Sequence, residues 1–67
     1  MNGRATVRVD LANRSAEVVD SAGRWQGTWS GTTRSTAAER IGTDGWRFAD
    51  DSGWRTTPDG GIREVVR

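Results

Sequence analysis

Three turn-forming sequences most constrain the fold, because they divide the chain into segments too short for long helices. Residues 20–23 (DSAG) and 50–53 (DDSG) each fit a type I turn that ends in a left-handed glycine. Residues 58–61 (PDGG) place proline and glycine where tight turns favour them. The sequence therefore predicts hairpins of short antiparallel strands.

The N-terminal segment has the pattern of a half-buried strand. Apolar and polar residues alternate over residues 4–12 (RATVRVDLA), which places Val7, Val9 and Leu11 on one side. A turn follows at 13–15.

The turn at 20–23 predicts a hairpin between strands at 16–20 and 24–30. In the register that this turn sets, Asp20 faces Arg24 and Val19 faces Trp25. Both are favoured cross-strand pairs, each contributing about 0.2–1 kcal/mol. The turn and the pairing thus support the same register.

The polar segment 31–44 allows two structures. Residues 36–39 (TAAE) match a capping box and Gly42 provides a stop, which predicts one or two helical turns over 36–41. The alternative is a threonine-rich loop that orders on binding a partner.

The last third of the chain repeats Gly-Trp-Arg at 45–47 and 53–55. A hairpin closed by the turn at 50–53 would place both tryptophans of the repeat on one face. The C-terminal residues 62–67 also fit a helical spacing, but adjacent valines favour a strand.

These patterns predict a mainly β fold in a single small domain over residues 1–67. We expect five or six short antiparallel strands, built as hairpins in a meander, forming a twisted sheet or a partly open barrel. One short helical turn near 36–41 is compatible with it. The predicted core consists of Val7, Val9, Leu11, Val19, Trp25, Trp46, Phe48, Trp54 and Ile62.

The missing residue types exclude most catalytic chemistry. The chain has no Cys, His, Lys or Tyr, so it lacks the side chains of zinc fingers, thiolate centres and Ser-His-Asp triads. Asp50 and Asp51 could share a proton or hold a divalent cation, but Asp-Asp-Ser-Gly is more typical of a turn. We expect no enzyme, no cofactor and no metal site.

All ten basic residues are arginines, and nine carboxylates leave a net charge of +1. The turn at 58–61 predicts that Arg55 faces Arg63, with Arg47 in line on the outer face and Arg67 continuing the stripe. A like-charge pair costs stability, which phosphates or a partner's carboxylates would relieve. Two alternatives remain: interleaved acidic residues neutralise the stripe, or the register is shifted by one residue.

Four tryptophans in so short a chain form the second feature. Three of them, Trp25, Trp46 and Trp54, are expected to fill the core, where Trp buries the most surface. Trp25 and Trp29 fall on one face of the predicted strand. Trp29 lies beside glycines and is the candidate for an exposed platform that stacks a base or anchors a protein.

The functional expectation is a non-enzymatic binding module. It binds nucleic acid, most naturally DNA, through Arg47, Arg55, Arg63 and Arg67 with Trp29. The alternatives are a small protein-interaction module of phage or plasmid type that binds a larger host protein, and a structural homo-oligomer whose small core is completed by further copies. No apolar run exceeds three residues, so we expect no membrane partner and a cytoplasmic location.

Overall fold

The computed structural model describes residues 3–67 and confirms the mainly β prediction: one six-stranded antiparallel sheet with a short helix. The elements are β1 (Ala5–Asp10), β2 (Ser15–Asp20), β3 (Trp25–Ser30), α1 (Ala37–Gly42), β4 (Arg47–Phe48), β5 (Arg55–Thr57) and β6 (Gly60–Val66).

The C-terminal strand lies in the interior of the sheet. The strand order is β3-β2-β1-β6-β4, and β5 also pairs with β6. β6 runs antiparallel to β1, so the first and last strands are neighbours. The strand prediction for residues 62–67 is therefore confirmed.

β4 and β5 do not form the predicted hairpin with each other. Both pair with the free side of β6, where Phe48 opposes Val65 and Arg55 opposes Ile62. They lie end to end along one edge, and residues 50–53 loop out between them. The hairpin prediction is wrong because β6 is long enough to pair with both short strands.

The β2–β3 hairpin confirms the predicted pairing of Val19 with Trp25. Gly23 has a φ of 82°, as the predicted turn requires. Beyond the first pairs a β-bulge shifts the register, so that Val18 opposes Gly27. The extra residue places Trp25 and Trp29 on opposite faces, which corrects the prediction that they share one.

The core lies between the sheet and α1. Ile41 on the helix and Val7, Val9, Val18 and Val65 on the strands have no exposed surface. Phe48, Trp54 and Trp29 are half-buried against this cluster. The buried hydrophobic residues of the described part are Ala5, Val7, Val9, Ala16, Val18, Ala37, Ile41, Trp46 and Val65.

Four predicted core residues lie elsewhere. Leu11 is 38% exposed because β1 ends at Asp10, and Trp25 is 64% exposed because of the bulge. Val19 and Ile62 are half-buried on the face away from the helix. Local alternation predicts all four side chains on the core side. The end of β1 at Asp10 and the observed strand registers place them elsewhere.

The polar segment forms the helix rather than a loop. α1 covers 37–42, in agreement with the predicted helical turns, but the capping box is absent. The Thr36 hydroxyl accepts a hydrogen bond from the Thr33 backbone N–H at 2.9 Å instead of capping the helix. Ala37 and Ile41 are fully buried, so packing against the sheet holds this short helix in place.

Candidate functional site

The sheet face opposite α1 is uncovered, and we call it the open face. Side chains directly opposite each other on neighbouring strands share a face, and Val7 and Val9 point to the helix side. The register therefore assigns the following side chains to the open face: Thr6, Arg8, Asp10, Ser15, Glu17, Val19, Trp25, Thr28, Ser30, Arg47, Arg55, Thr57, Ile62, Glu64 and Val66.

The four predicted stripe arginines are divided between the two faces. Arg47 and Arg55 are exposed on the open face. Arg63 and Arg67 point to the helix side, where Arg63 opposes the core residue Val7. The prediction of one common stripe is therefore wrong.

The reason is the turn between β5 and β6. Thr57 pairs with Gly60, so that only Pro58 and Asp59 occupy the turn, one residue fewer than predicted. The Gly60 N–H donates to the Thr57 hydroxyl at 3.1 Å. A shift of one residue reverses the face of each side chain, and Arg55 opposes Ile62 instead of an arginine.

Arg63 and Arg67 are engaged with aromatic rings of their own chain. The Arg63 guanidinium lies 3.8 Å from the centroid of Phe48, and its Nη2 donates to the Asp50 carbonyl at 2.9 Å. The Arg67 guanidinium lies 4.3 Å from the Trp46 ring. Such cation–π contacts give both arginines a structural role in holding the β4–β5 edge.

The open-face arginines are available for a ligand. Within residues 3–67 the structure contains two ion pairs. Arg4 pairs with Glu64 at 2.5 Å, and Arg24 pairs with Asp20 in the β2–β3 turn. Arg8, Arg47 and Arg55 make no ion pair in this part of the chain. Arg8 lies between Glu17 and Ile62 on the neighbouring strands. Arg8 therefore faces a carboxylate on its own side of the sheet, whereas Arg47 and Arg55 face Val66 and Ile62 and are free to meet an anion.

The exposed aromatic platform is Trp25 rather than Trp29. Trp29 is half-buried against the core, and its ring occupies the space above Gly27, where an added Cβ would lie 3.0 Å from Cη2. Trp25 stands on the open face, and its indole Nε1 donates to the Thr28 hydroxyl at 2.7 Å. This bond fixes the ring along the strand. A glycine on the same face as Trp29 was the sequence signal for its burial, whereas the bulge that exposes Trp25 left none.

A groove of about 530 Å³ lies beside the 50–53 loop. Hydrogen bonds from the Ser52 hydroxyl and backbone N–H, at 2.5 and 3.0 Å, lower the pKa of Asp50 below its ordinary value. That carboxylate is therefore ionised at neutral pH, and its hydrogen bonds are made within the loop. The lining residues are Thr6, Asp50, Ser52, Gly53, Trp54, Arg55, Ile62, Arg63 and Glu64.

By its architecture, the described part of the chain is an antiparallel β domain. One face of its sheet packs on a short helix and the other face is open. No protein-family model, curated protein or solved structure matches the chain. Over residues 3–67, no group of three or more acidic side chains is placed to hold a metal ion. In that range the helix α1 lacks the length and apolar character needed to cross a membrane.

Proposed function

We propose that this protein binds single-stranded nucleic acid across the open face of its sheet. The observation that supports it is the presence of Trp25 and three arginines without ion pairs, Arg8, Arg47 and Arg55, on one uncovered face. An aromatic ring that stacks on bases and guanidinium groups that contact phosphates are the two components of general single-strand binding.

Trp25 supplies a preorganised stacking surface. Its Nε1–Thr28 hydrogen bond fixes the ring orientation, and Val19 stands opposite it on β2. Little side-chain freedom is then lost when a base stacks on the exposed ring. Stacking of this kind contributes about 1–3 kcal/mol per base.

The arginines continue the proposed binding surface of the open face away from Trp25. Neighbouring strands lie about 4.8 Å apart, so the path from β3 to β5 is about 20 Å. Arg8 on β1 and Arg55 on β5 lie along it, with Arg47 near one end of the sheet. The span suits a few nucleotides, at the small end of single-strand sites.

The width of the sheet favours single strands over duplex DNA. The DNA major groove is about 12 Å wide and admits a helix or a two-stranded ribbon. The open face is five strands across, with neither Trp25 nor Arg55 on a projecting ribbon. A flexible single strand can follow such a surface.

The test is a fluorescence titration with single-stranded DNA over a range of salt concentrations. Three phosphate contacts predict a slope of log K against log salt of about −2, at roughly 0.7 per contact. Replacing Arg47 and Arg55 with Ala should remove most of the binding. Replacing Arg34 and Arg40 together with Ala removes the same two charges from exposed positions on the helix side and is the matched control. Equal losses in the two variants, or binding that salt does not weaken, would overturn the proposal.

A protein partner is the second candidate, and one observation favours it. Val19, Ile62 and Val66 place apolar surface on the open face, beside the acidic residues Glu17 and Glu64. In that case Trp25 would anchor a protein interface, where Trp and Arg are both enriched. Binding to such a partner would persist at salt concentrations that abolish phosphate contacts.

A further inference from the structure

The two edges of the sheet differ in how well they are protected. β3 forms one edge with six residues, WQGTWS, that include no charge and no proline. The opposite edge consists of β4 and β5, which are interrupted by the 50–53 loop and carry Arg47 and Arg55.

An unprotected edge strand is a template for another strand. Its outward N–H and C=O groups have no partner in the sheet, and proteins usually block such edges with charges, prolines, breaks or short strands. The β4–β5 edge has breaks, short strands and charges. β3 has only the bulge opposite Val18 and Val19. The regular part of β3, beyond this bulge, is thus open to pairing.

We propose that β3 pairs antiparallel with β3 of a second copy of this chain, with the two-fold axis at Thr28. Directly opposed side chains must share a face if the two sheets are to continue each other. Gly27 and Trp29 lie on the helix side and Thr28 on the open side. The register must therefore keep opposed side chains on one face and be centred on the regular part of the strand. Both conditions are met when Gly27 pairs with Trp29 of the other copy and Thr28 pairs with Thr28.

The composition of β3 fits self-pairing better than pairing with a charged partner strand. No residue of β3 is charged, so two copies meet without repulsion along the whole strand. The threonines at the axis form a favoured cross-strand pair. Both open faces then lie side by side in one wider sheet, although the pairing does not depend on what those faces bind.

The contact is one strand wide, so the dimer is expected to dissociate on dilution. Sedimentation equilibrium over a concentration series should show the mass rising from one 7.3 kDa chain toward two. Thr28→Lys and Thr28→Glu each place like charges opposite each other at the axis and should remain monomeric. An equal mixture of the two variants should dimerise again, because the opposed charges are then complementary.

Thr56→Lys is the matched control, since Thr56 is exposed on the opposite edge, and it should dimerise like the wild type. A wild-type chain that stays monomeric at every concentration would overturn the proposal. Dimerisation of the separate Thr28 variants at wild-type strength would also overturn it.

A crosslink tests the same axis without adding charge. Opposed residues in antiparallel strands have Cα atoms about 4.5–5.5 Å apart, within the range that a disulfide spans. The chain contains no cysteine, so Thr28→Cys should form a covalent dimer on mild oxidation and Thr56→Cys should not. Equal crosslinking of the two variants would contradict the assigned axis.

Discussion

At the scale of residues, Trp25 and Trp29 show how one inserted residue places two tryptophans of the same strand on opposite faces of the sheet. Both lie in β3, four residues apart, and a regular strand would put them on one face. The bulge sends Trp25 to the open face and leaves Trp29 over Gly27 on the core side. Their substitutions should therefore have separable effects.

Trp25→Ala should leave the free energy of unfolding within about 0.5 kcal/mol of the wild type, because most of its ring is exposed. Trp29→Ala should lower it by about 2 kcal/mol, since the half-buried ring packs against the core. Chemical denaturation followed by circular dichroism measures both. The assignment of the two faces fails if Trp25→Ala is the more destabilising substitution.

Asp20 makes the stability of the β2–β3 turn depend on pH. Its carboxylate accepts the backbone N–H groups of Arg24 and Ala22, together with the side chains of Arg24 and Gln26. The hydrogen bond from the Arg24 backbone N–H is the main cause that lowers the pKa of Asp20 below 3.8. The ionised form is thus favoured in the folded state.

The resulting stabilisation is complete above the unfolded pKa of about 3.9 and is lost as the pH falls through the lower folded pKa. Asp20→Asn should therefore lower the Tm at neutral pH and make the fall in Tm below about pH 4 smaller than in the wild type. Thermal melts over this pH range measure the effect. An acid-induced fall equal to that of the wild type would show that Asp20 does not contribute.

At the scale of elements, the interrupted edge has a simple geometric basis. The Ala49 N–H donates to the Glu64 carbonyl at 3.0 Å, which continues the β4–β6 register by one residue. The β5–β6 register, extended by one residue in the other direction, brings Trp54 opposite Arg63. Ala49 and Trp54 thus occupy neighbouring positions along β6, with residues 50–53 as an insertion.

Deletion of residues 50–53 should consequently join β4 and β5 into one continuous strand. We expect the variant to fold with a sheet signal equal to or greater than that of the wild type. Circular dichroism and thermal melting measure this outcome. A chain of four Gly in place of the loop is the control that keeps the length. If the deletion unfolds the protein while the glycine variant folds, the two strands are not aligned as described.

Short-range features explain which elements the sequence could predict. Alternation and turn residues predict the first three strands and their hairpin. The sequence predicts the helical turns from a capping box that the structure lacks, and the burial of Ala37 and Ile41 holds α1 instead. The partner of β6 depends on contacts between distant parts of the chain, which local patterns do not contain. The same applies to the bulge in β3, which sets the face of Trp25. The faces of Arg63 and Arg67 follow from the β5–β6 turn, which is one residue shorter than the sequence predicts.

At the scale of the whole molecule, the small core accounts for the open face. One helix of six residues covers one side of the sheet, and the buried set contains only small and medium side chains apart from Trp46. The remaining side of a six-stranded sheet stays exposed with Trp25 and the unpaired arginines on it. A chain of this size can thus present a broad binding surface.

The most direct test of the account is a nuclear magnetic resonance titration with a short single-stranded oligonucleotide at low salt. The four tryptophans supply four indole N–H signals, one of them from the open face. The account predicts that the Trp25 signal shifts and that added salt reverses the shift, while the buried Trp46 signal stays in place. No shift at Trp25, or a larger shift at Trp46, would contradict it.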